Sequence, residues 1–556
     1  MAQAADKHTT GGGSSLDFDA IVIGAGFGGL RTLLELRDKS GLSVKVLEAG
    51  EDVGGTWYWN RYPGARTDTE SWAYCLSFDE ELLDEWNWSE RFTTQPEMEQ
   101  YFQALSDRFD LRKDIQFGTR VTEAAFDEDA DAWRVFTDAG ETLGCRFLIS
   151  AAGVLSITSD PPFPGIEEFA GEWYQTSLWP QEPVDFGGKR VAVVGTGATA
   201  VQVIPEVACQ AKHLTVFQRT PNFVMPARNH PLRPAQMEEI KRTYGEIWEQ
   251  VGTQAFAFPM DSAGRVSTEI TDPAERRRVF EAGWEAGGFR YVFETFDDLF
   301  VDEAINEEAA EFVRDKIRTI VKDPETAELL CPTTHPLGGK RVPLGHFYYE
   351  TYNRENVELV GVRDNPIEAV TPGGIRLHDG SEHEVDVIVF AIGFEAVTGA
   401  LAAIDIRGRG GRDLSDRWAD GAAAYLGLAT DGFPNLFAIL GPQSPFSNMP
   451  PMIERQVEFI GGAIRRMRDE GAARIEATAD AVEAWSAECR AGLEATVIPG
   501  GLDDRPWFLS RLPDGRTNVL FYFSGVEAYR DELRSSLGNG LSGFELSSAA
   551  AAVSGG

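Results

Sequence analysis

Two glycine-rich turns in this chain have the residue types and spacing that hold dinucleotides. They are residues 24–29, GAGFGG, and residues 195–200, GTGATA, and each follows an apolar strand pattern and opens a helical one. Backbone N–H groups at such a helix N-terminus bind a pyrophosphate. A flavin and a nicotinamide held by one chain would let a hydride pass between them and oxygen chemistry follow. We therefore expect two dinucleotide sites.

The first turn has a further feature of a dinucleotide site. Glu48 ends the second strand pattern about 20 residues after the turn, where a carboxylate can accept hydrogen bonds from a ribose 2′-hydroxyl. A merely tight strand-to-helix turn is the alternative. The turn residues predicted to contact or shape the site are Gly24 for the bend, Gly26 for approach of the pyrophosphate, Phe27, Gly28, and Gly29 for close helix packing.

The second turn belongs to a unit that ends without an acid. Its closing strand runs into Arg219 and Thr220, so an extra phosphate on the ribose would be attracted rather than repelled. This predicts NADPH rather than NADH. Ala200 replaces the third glycine, which the pattern permits. The alternative is that Arg219 is an ordinary surface residue.

An aromatic loop follows the first unit. Residues 54–68 read GGTWYWNRYPGARTD and combine aromatic side chains, a rigid Pro-Gly turn and an Arg/Asp pair. This composition is typical of a wall against a planar ring system, with polar groups aimed at the reacting face. Packing of the aromatic residues in an ordinary core is the alternative.

Alternating strands and helices must position these residues. FDAIVIG and VKVLEAG flank the first turn, and KRVAVVGTG and HLTVFQR flank the second, with helical spacing of apolar residues between them. These are two βαβ units. We predict an α/β fold of two Rossmann-like dinucleotide-binding domains with a helical insertion. Further strands are predicted at FLISAAGV, NVELV, IRLHDG, DVIVFAIGF and FPNLFAILGP, the last leading into a helix.

The predicted domains are discontinuous in sequence. A proline-rich link at residues 160–164 marks a crossing between them. The insertion has an apolar helical stripe (Ile305, Ala309, Phe312, Ile317, Ile320) and an N-cap at Asp272 before Pro273. We expect a disordered leader at 1–16, the first dinucleotide domain at 17–155 and 387–546, the second at 156–225 and 333–386, the insertion at 226–332, and a flexible tail at 547–556.

Composition excludes several classes of function. The 556 residues hold 51 Lys plus Arg against 88 Asp plus Glu, a net charge of -37, so we expect no nucleic-acid partner and no membrane partner. No signal peptide or membrane-spanning apolar run is evident in the sequence. Five cysteines without a C-x-x-C pair favour reduced thiols, a cytoplasmic location and no metal site. They also argue against a disulfide reductase.

The aromatic loop resembles the long fingerprint of the type I Baeyer–Villiger monooxygenases, [A/G]GxWxxxx[F/Y]P[G/M]xxxD. The match uses Gly54 or Gly55, Trp57, Tyr62, Pro63, Gly64 and Asp68. The family's second fingerprint, FxGxxxHxxxW, is matched by Phe169, Gly171 and Trp179, but Gln175 stands at its histidine. The resemblance extends over about residues 17 to 546.

The resemblance implies FAD reduced by NADPH, with O2 then adding to the flavin to give a peroxide that attacks a ketone. The product would be an ester or lactone. Arg341 matches the family's catalytic arginine, Asp68 the carboxylate that keeps it aimed, and Arg66 flanks that carboxylate. A guanidinium suits this role because it stays charged and donates through a planar fork. A small-molecule ketone and O2 are the implied partners, and we expect a monomer or weak homo-oligomer.

The resemblance also implies which residues hold the cofactors and substrate. For FAD, beyond the first turn and Glu48, these are Gly55, Thr56, Trp57, Trp59, Asp68, Tyr74, Val121 and Met449. For NADP they are Thr196, Gly197, Ala198, Thr199, Ala200, Gln202, Arg219, Thr220, Lys340 and Trp507. The implied substrate pocket is Phe446, Met449 and Trp507, whereas Phe289, Tyr291, Phe293, Phe296 and Phe300 are interpreted as core residues.

The sequence departs from the family pattern at two positions, Gln175 and Ile392. Gln175 hydrogen-bonds but carries no charge, so only a structural role of the family histidine would survive. Ile392 stands where the family usually has threonine, and we expect a local effect.

The alternatives to ketone oxygenation are an N- or S-oxidising flavin monooxygenase, an uncoupled NADPH oxidase, and a nucleotide-binding regulator. The aromatic fingerprint favours the ketone oxygenase.

Overall fold

The computed structural model describes residues 16–548 apart from Arg505 and Pro513. The predicted leader, 1–16, lies outside this range except for Leu16. Only Ser547 and Ser548 of the predicted tail, 547–556, are described, and Ser547 ends a strand rather than starting a tail.

The strands of this part of the chain are, in order, β1 (Phe18–Ile23), β2 (Val44–Leu47), β3 (Ile115–Gln116), β4 (Val121–Asp127), β5 (Ala132–Thr137), β6 (Thr142–Ser150), β7 (Glu172–Gln175), β8 (Arg190–Val194), β9 (His213–Gln218), β10 (Met225–Pro226), β11 (Leu344–Gly345), β12 (Val357–Gly361), β13 (Ile367–Thr371), β14 (Gly374–Leu377), β15 (Glu382–Glu384), β16 (Val387–Phe390), β17 (Asp405–Arg407), β18 (Leu436–Ala438), β19 (Ser444–Pro445), β20 (Arg474–Ala477), β21 (Leu509–Arg511), β22 (Thr517–Val519), β23 (Phe521–Tyr522) and β24 (Phe544–Ser547).

The helices are α1 (Phe27–Leu34), α2 (Thr56–Trp59), α3 (Glu80–Glu85), α4 (Gln95–Arg108), α5 (Ala198–Gln210), α6 (Pro234–Arg242), α7 (Tyr244–Thr253), α8 (Pro273–Ala286), α9 (Arg290–Phe293), α10 (Glu303–Ile320), α11 (Pro324–Leu330), α12 (Tyr348–Thr351), α13 (Gly399–Ala402), α14 (Leu414–Trp418), α15 (Met449–Glu470), α16 (Ala479–Glu494) and α17 (Val526–Gly538). Among residues 16–548, leaving out the two undescribed positions, none of the helices is long and apolar enough to cross a membrane.

Two separate sheets carry the two glycine turns. The first sheet has the order β17-β4-β5-β6-β1-β2-β3, with β18 also paired to β6. The second has the order β12-β9-β8-β16-β7 and is parallel throughout. In each sheet the glycine turn joins a central strand, β1 or β8, to the helix that follows it. The predicted α/β fold with two Rossmann-like units is confirmed.

The strand pairing departs from one predicted domain boundary. Strand β16 pairs in parallel with both β7 and β8, so it belongs to the second sheet. The predicted boundary at residue 387 assigned this strand to the first domain instead. An apolar strand buried on both faces has no alternating pattern to tell which sheet it joins. We therefore propose that the chain returns to the first domain after Phe390.

The helical insertion packs on both domains: helices α8 to α11 share a core with the second sheet, and helices α6 and α7 bury Met237, Tyr244 and Val251 in the core of the first domain. Its helices α6 to α11 include α10, whose N-cap Asp302 accepts hydrogen bonds from the first-turn amides, and α8, which starts at the predicted Asp272 cap. The stripe on α10 is buried except for Ile320, which is partly exposed. Because this stripe shares a core with the apolar residues of β8 and β9, the part of the insertion from α8 to α11 extends the second domain's core.

Candidate active site

One cavity of about 1370 Å³ is lined by both glycine turns. It is large by the standard of small-molecule pockets, which hold several hundred Å³. Of the predicted site residues, Gly29 and Ala200 are buried and do not line it. The others all line it: Gly24, Gly26, Phe27, Gly28, Glu48, Gly55, Thr56, Trp57, Trp59, Arg66, Asp68, Tyr74, Val121, Thr196, Gly197, Ala198, Thr199, Gln202, Arg219, Thr220, Lys340, Arg341, Phe446, Met449 and Trp507.

The backbone of the first turn requires glycine at two positions. Gly24 has φ +100°, and a Cβ added there would lie 2.5 Å from the Ala151 carbonyl oxygen. A Cβ at Gly29 would lie 1.7 Å from the Gly24 carbonyl oxygen. No described side chain caps α1 at Gly26, so the amides of its first turn are available to an anion at the cavity.

Glu48 holds the backbone of this turn. Its carboxylate accepts hydrogen bonds from the amide of Ala25 at 2.6 Å and from the amide of Gly50 at 2.7 Å. Burial raises the pKa of Glu48 against the opposing effect of these two bonds. The carboxylate therefore shapes the turn and also borders the cavity, and its contact with a ribose stays a prediction.

The second turn leaves more space at the N-terminus of its helix than the first turn does. Gly195 has φ +115°, and an added Cβ would lie 2.5 Å from the Ala391 carbonyl oxygen. At Gly197 an added Cβ would have no described atom within 4 Å, and no described side chain caps α5 there. The Thr196 hydroxyl donates to the Thr220 carbonyl at 2.9 Å, which ties the turn to the end of β9. This open helix N-terminus suits a pyrophosphate.

Basic side chains meet at the carboxyl end of β9. Burial, reinforced by Arg219 and Arg363, lowers the pKa of Lys340 to about 8. Sequence reasoning missed Arg363, whose Nη2 donates to the Thr220 hydroxyl at 3.0 Å. A usable signal existed: Arg363 follows β12, which pairs in parallel with β9, and carboxyl ends of parallel strands meet at one edge of the sheet.

Arg341 and Asp68 form an ion pair on the cavity wall. The Arg341 guanidinium donates to the Asp68 carboxylate. The Asp68 side chain is only 5% exposed, whereas that of Arg341 is 31% exposed. Gln202 of α5 supports the pair, because its amide donates to the Arg66 carbonyl at 3.0 Å and accepts from the Tyr62 hydroxyl at 2.9 Å. The pair can therefore present a fixed cation to the cavity.

Arg66 has a different partner from the one its sequence position suggests. Its Nη1 lies 3.2 Å from the carboxylate of Glu90, and Asp68 is instead paired with Arg341. Glu90 also accepts from the Asn229 side chain. Arg66 borders the cavity, and its catalytic role stays a prediction.

The aromatic loop serves both the core and the cavity. Trp57 is buried and contacts Tyr74 edge-on, with ring centroids 5.7 Å apart. Tyr74 in turn contacts Phe27 at 5.6 Å. All three line the cavity while packing in the first domain's core. The two interpretations of this loop are therefore not exclusive.

A phenylalanine wall lines another side of the cavity. Tyr291 and Phe296, interpreted from the sequence as core residues, are buried away from the cavity. Phe289 is buried in the same core and also lines the cavity, whereas Phe293 and Phe300 are only partly buried and line it. An aromatic-rich helix has no sequence signal that separates a core-facing ring from a cavity-facing one. The rings of this wall contact each other in stacked, tilted or edge-on arrangements, with centroid distances from 4.8 to 6.2 Å. The wall consists of Phe256, Phe258, Phe289, Phe293 and Phe300.

Gln175 and Ile392, the two departures from the family pattern, lie at or just after the ends of neighbouring strands of the second sheet. Gln175 ends β7 beside Phe390 and is buried, and its amide donates to the Ser159 carbonyl at 2.6 Å. It thus ties the second sheet to the link between domains without a charge. Ile392 lines the cavity just after β16.

Known proteins resemble this chain over nearly its whole length. A model of the flavin-binding monooxygenase-like family matches residues 19–258. The chain is 46% identical to a Baeyer–Villiger monooxygenase of Pseudooceanicola batsensis, over 93% of this chain and 94% of that one. It is also 46% identical to a phenazine N-monooxygenase of Lysobacter antibioticus, over 96% and 97% of the two chains.

A solved structure agrees in fold as well as sequence. The crystal structure of cyclohexanone monooxygenase from Rhodococcus sp. Phi1 bound to NADP+ has a TM-score of 0.92 and 44% identity, with 96% of this chain and 99% of that one covered. Each of these comparisons covers 93% or more of this chain. The chain belongs to the type I Baeyer–Villiger monooxygenase family.

Proposed function

We propose that this protein uses NADPH and O2 to insert one oxygen atom next to a ketone carbonyl, giving an ester or a lactone. The observation that carries the proposal is the Arg341–Asp68 ion pair on a cavity lined by two dinucleotide-binding turns. A flavin site, a nicotinamide site and a fixed cation are what this reaction needs in one place.

The first turn and the aromatic loop fit FAD. The open N-terminus of α1 would receive the pyrophosphate, because Gly26 brings no side chain into the approach. Trp57 and Tyr74 would border the planar ring system. When bound and reduced, the flavin supplies the activation of O2.

The second turn and the basic cluster fit NADPH. Gly197 leaves the approach to α5 open, and Lys340 and Arg219 would bind the 2′-phosphate at the end of β9. A phosphate there would meet positive charge that an unphosphorylated ribose would leave uncompensated. We therefore assign the second site to NADPH rather than NADH.

Arg341 would hold negative charge that develops on oxygen during the reaction. Its guanidinium stays charged across the working pH range and donates several hydrogen bonds in one plane. Asp68 takes one side of that plane and so fixes the direction of the remaining donors. Gln202 belongs to the nucleotide-binding helix α5 and lies against the backbone of Arg66, so nucleotide binding and the orientation of the pair share one element.

The phenylalanine wall would receive the hydrocarbon part of the ketone. Phe300 packs on Gly338, where an added Cβ would lie 2.4 Å from its ring, and Gly338 begins the loop that carries Arg341. At the other side of the wall, the backbone N–H of Asn448 donates to the Phe256 carbonyl at 2.8 Å. Asn448 immediately precedes Met449. The wall thus lies between the arginine loop and the predicted substrate residues, and its apolar surface excludes water.

A product-based assay tests the proposal. The purified protein, loaded with FAD, would be given NADPH and a panel of linear, cyclic and aromatic ketones, with NADPH consumption and product identity both measured. We expect ester or lactone in amounts that match the NADPH consumed for at least one ketone. NADPH consumption with hydrogen peroxide as the product for every ketone would support the oxidase alternative instead.

N-oxidation is a second candidate. The relative named phenazine N-monooxygenase is as similar in sequence as the Baeyer–Villiger relative, so overall identity does not separate the two activities. A planar heteroaromatic substrate would also fit beside a wall of phenylalanine rings. Including a phenazine in the panel and looking for its N-oxide distinguishes this candidate from ketone oxygenation.

A further inference from the structure

A segment of chain brings Trp507 to the cavity. We use the name Trp507 segment for residues 498–507 apart from Arg505. It packs directly on the loop of the catalytic arginine, since a Cβ added at Gly501 would lie 2.1 Å from the Gly339 carbonyl oxygen. At its other end Trp507 contacts Phe446, with ring centroids 5.9 Å apart. The segment therefore connects the arginine loop with the predicted substrate pocket.

Asp504 fastens this segment to the nucleotide site. The Asp504 residue is 5% exposed, and its carboxylate accepts from the Thr334 hydroxyl and from the Arg363 guanidinium. The same guanidinium donates to the Thr220 hydroxyl at 3.0 Å and to the Arg219 carbonyl at 3.4 Å. One side chain, Arg363, thus joins the Trp507 segment to the end of β9, where the 2′-phosphate is proposed to bind.

The charges at this junction act on one another. Arg219 and Arg363 lower the pKa of Lys340 and Asp504 raises it, with burial as the largest cause of the net lowering. A bound 2′-phosphate would attract Arg363 and repel Asp504. Removing the arginine and removing the carboxylate should therefore change nucleotide affinity in opposite directions, although both changes break the same ion pair.

Resting on the proposed use of NADPH, we propose that Asp504 and Arg363 are positioning residues that fasten the Trp507 segment to the 2′-phosphate end of the nucleotide site. Arg363 adds to the affinity for the 2′-phosphate. Asp504 adds nothing to that affinity and serves only to hold the segment over the cavity. Recognition of the phosphate and placement of Trp507 are then coupled through one ion pair.

The test compares Asp504→Asn and Arg363→Ala in the FAD-loaded protein. Calorimetric titration gives Kd for NADP+ and for NAD+, and a peroxide assay gives the share of NADPH consumption that yields no oxygenated product. For Arg363→Ala we expect Kd for NADP+ to rise about tenfold and Kd for NAD+ to change less than about twofold. For Asp504→Asn we expect Kd for NADP+ to stay equal or fall. Both variants should raise the peroxide share about threefold or more.

Matched variants separate these effects from general damage. Arg376→Ala removes a surface arginine of similar exposure, 41% against 44% for Arg363, that is paired with Glu368 at 2.7 Å, and it should change none of the values. Arg363→Lys keeps the charge and should recover most of the NADP+ affinity. If Asp504→Asn fails to fold, Thr334→Val removes the other hydrogen bond to the carboxylate and should raise the peroxide share by itself.

The proposal would be overturned by an equal loss of NADP+ affinity in Asp504→Asn and Arg363→Ala, or by an unchanged peroxide share in both. Equal weakening of NADP+ and NAD+ in Arg363→Ala would also overturn it, because a general structural role predicts that result. A wild-type protein without preference for NADP+ over NAD+ would instead refute the nucleotide assignment on which the proposal rests.

Discussion

The guanidinium of Arg341 donates to the carboxylate of Asp68, a residue 273 positions earlier in the chain. Asp68 closes the aromatic loop of the first domain, and Arg341 lies on a loop that leaves the helical insertion. The pair therefore exists only when the two parts of the chain are docked. Its position on the shared cavity is the basis of the predictions about catalysis.

Replacement of Arg341 by Ala should separate reduction from oxygenation. We expect flavin reduction by NADPH to keep its rate within about threefold, because the arginine is not needed to bind the nucleotide, while ester formation falls by about a hundredfold or more. Stopped-flow absorbance measures the first step and product analysis the second. Equal loss of both steps would contradict the assigned role. Arg376→Ala, at a residue that does not line the cavity, is the control.

Replacement of Arg219 by Ala should weaken NADPH selectively. Loss of one charge–phosphate contact is expected to raise KM for NADPH about tenfold and leave KM for NADH nearly unchanged. Steady-state kinetics with both nucleotides checks this. If KM rises equally for the two, Arg219 does not recognise the 2′-phosphate.

The affinity for NADP+ should fall as pH rises above about 8. The pKa of Lys340 is lowered to about 8 in the ligand-free protein, so the ammonium is present below that pH and lost above it. A bound phosphate favours the charged form, so Kd should rise by up to about tenfold per pH unit above the free-protein pKa. The phosphate is already doubly charged there, since its second pKa is about 6.

Lys340→Arg provides the control for this pH dependence. Arginine stays charged through the same range, so the variant should bind NADP+ with little change in Kd between about pH 7 and about pH 9. Titrations at several pH values compare the two proteins. A wild-type Kd that is flat across this range would rule out Lys340 as the titrating contact.

Two glycine substitutions should differ sharply in stability. Gly29→Ala places a Cβ 1.7 Å from a backbone oxygen, whereas Gly197→Ala has no described atom within 4 Å of the new Cβ. We expect Gly29→Ala to lower the free energy of unfolding by about 3 kcal/mol or more and Gly197→Ala by less than about 1 kcal/mol. Denaturant unfolding measures both. Similar values for the two variants would mean that the first turn is less tightly packed than described.

Local patterns in the sequence were enough to predict the turns but not the partners of distant side chains. Gly24 and Glu48 follow from strand, turn and helix signals within one βαβ unit. Arg363 and Asp504 are separated by 141 residues, and each alone reads as a surface charge. Their pairing depends on how the end of β12 meets the Trp507 segment.

The same limit explains the other differences. The apolar pattern at Val387–Phe390 predicts a strand but carries no information on which sheet it joins. The ring of Phe293 faces the cavity while that of nearby Phe296 is buried in the core, a distinction set by tertiary packing rather than by residue type. Asp68 is the acidic residue nearest to Arg66 in the sequence, but the fold pairs Arg66 with Glu90.

Oxygen-18 labelling tests the central claim most directly. The FAD-loaded protein would oxidise a ketone with NADPH under labelled O2, and mass spectrometry would locate the label in the product. The account predicts an ester or lactone with one labelled oxygen, inserted between the former carbonyl carbon and its neighbour, and an unlabelled carbonyl oxygen. Label found only in hydrogen peroxide and water, with every ketone recovered unchanged, would contradict it.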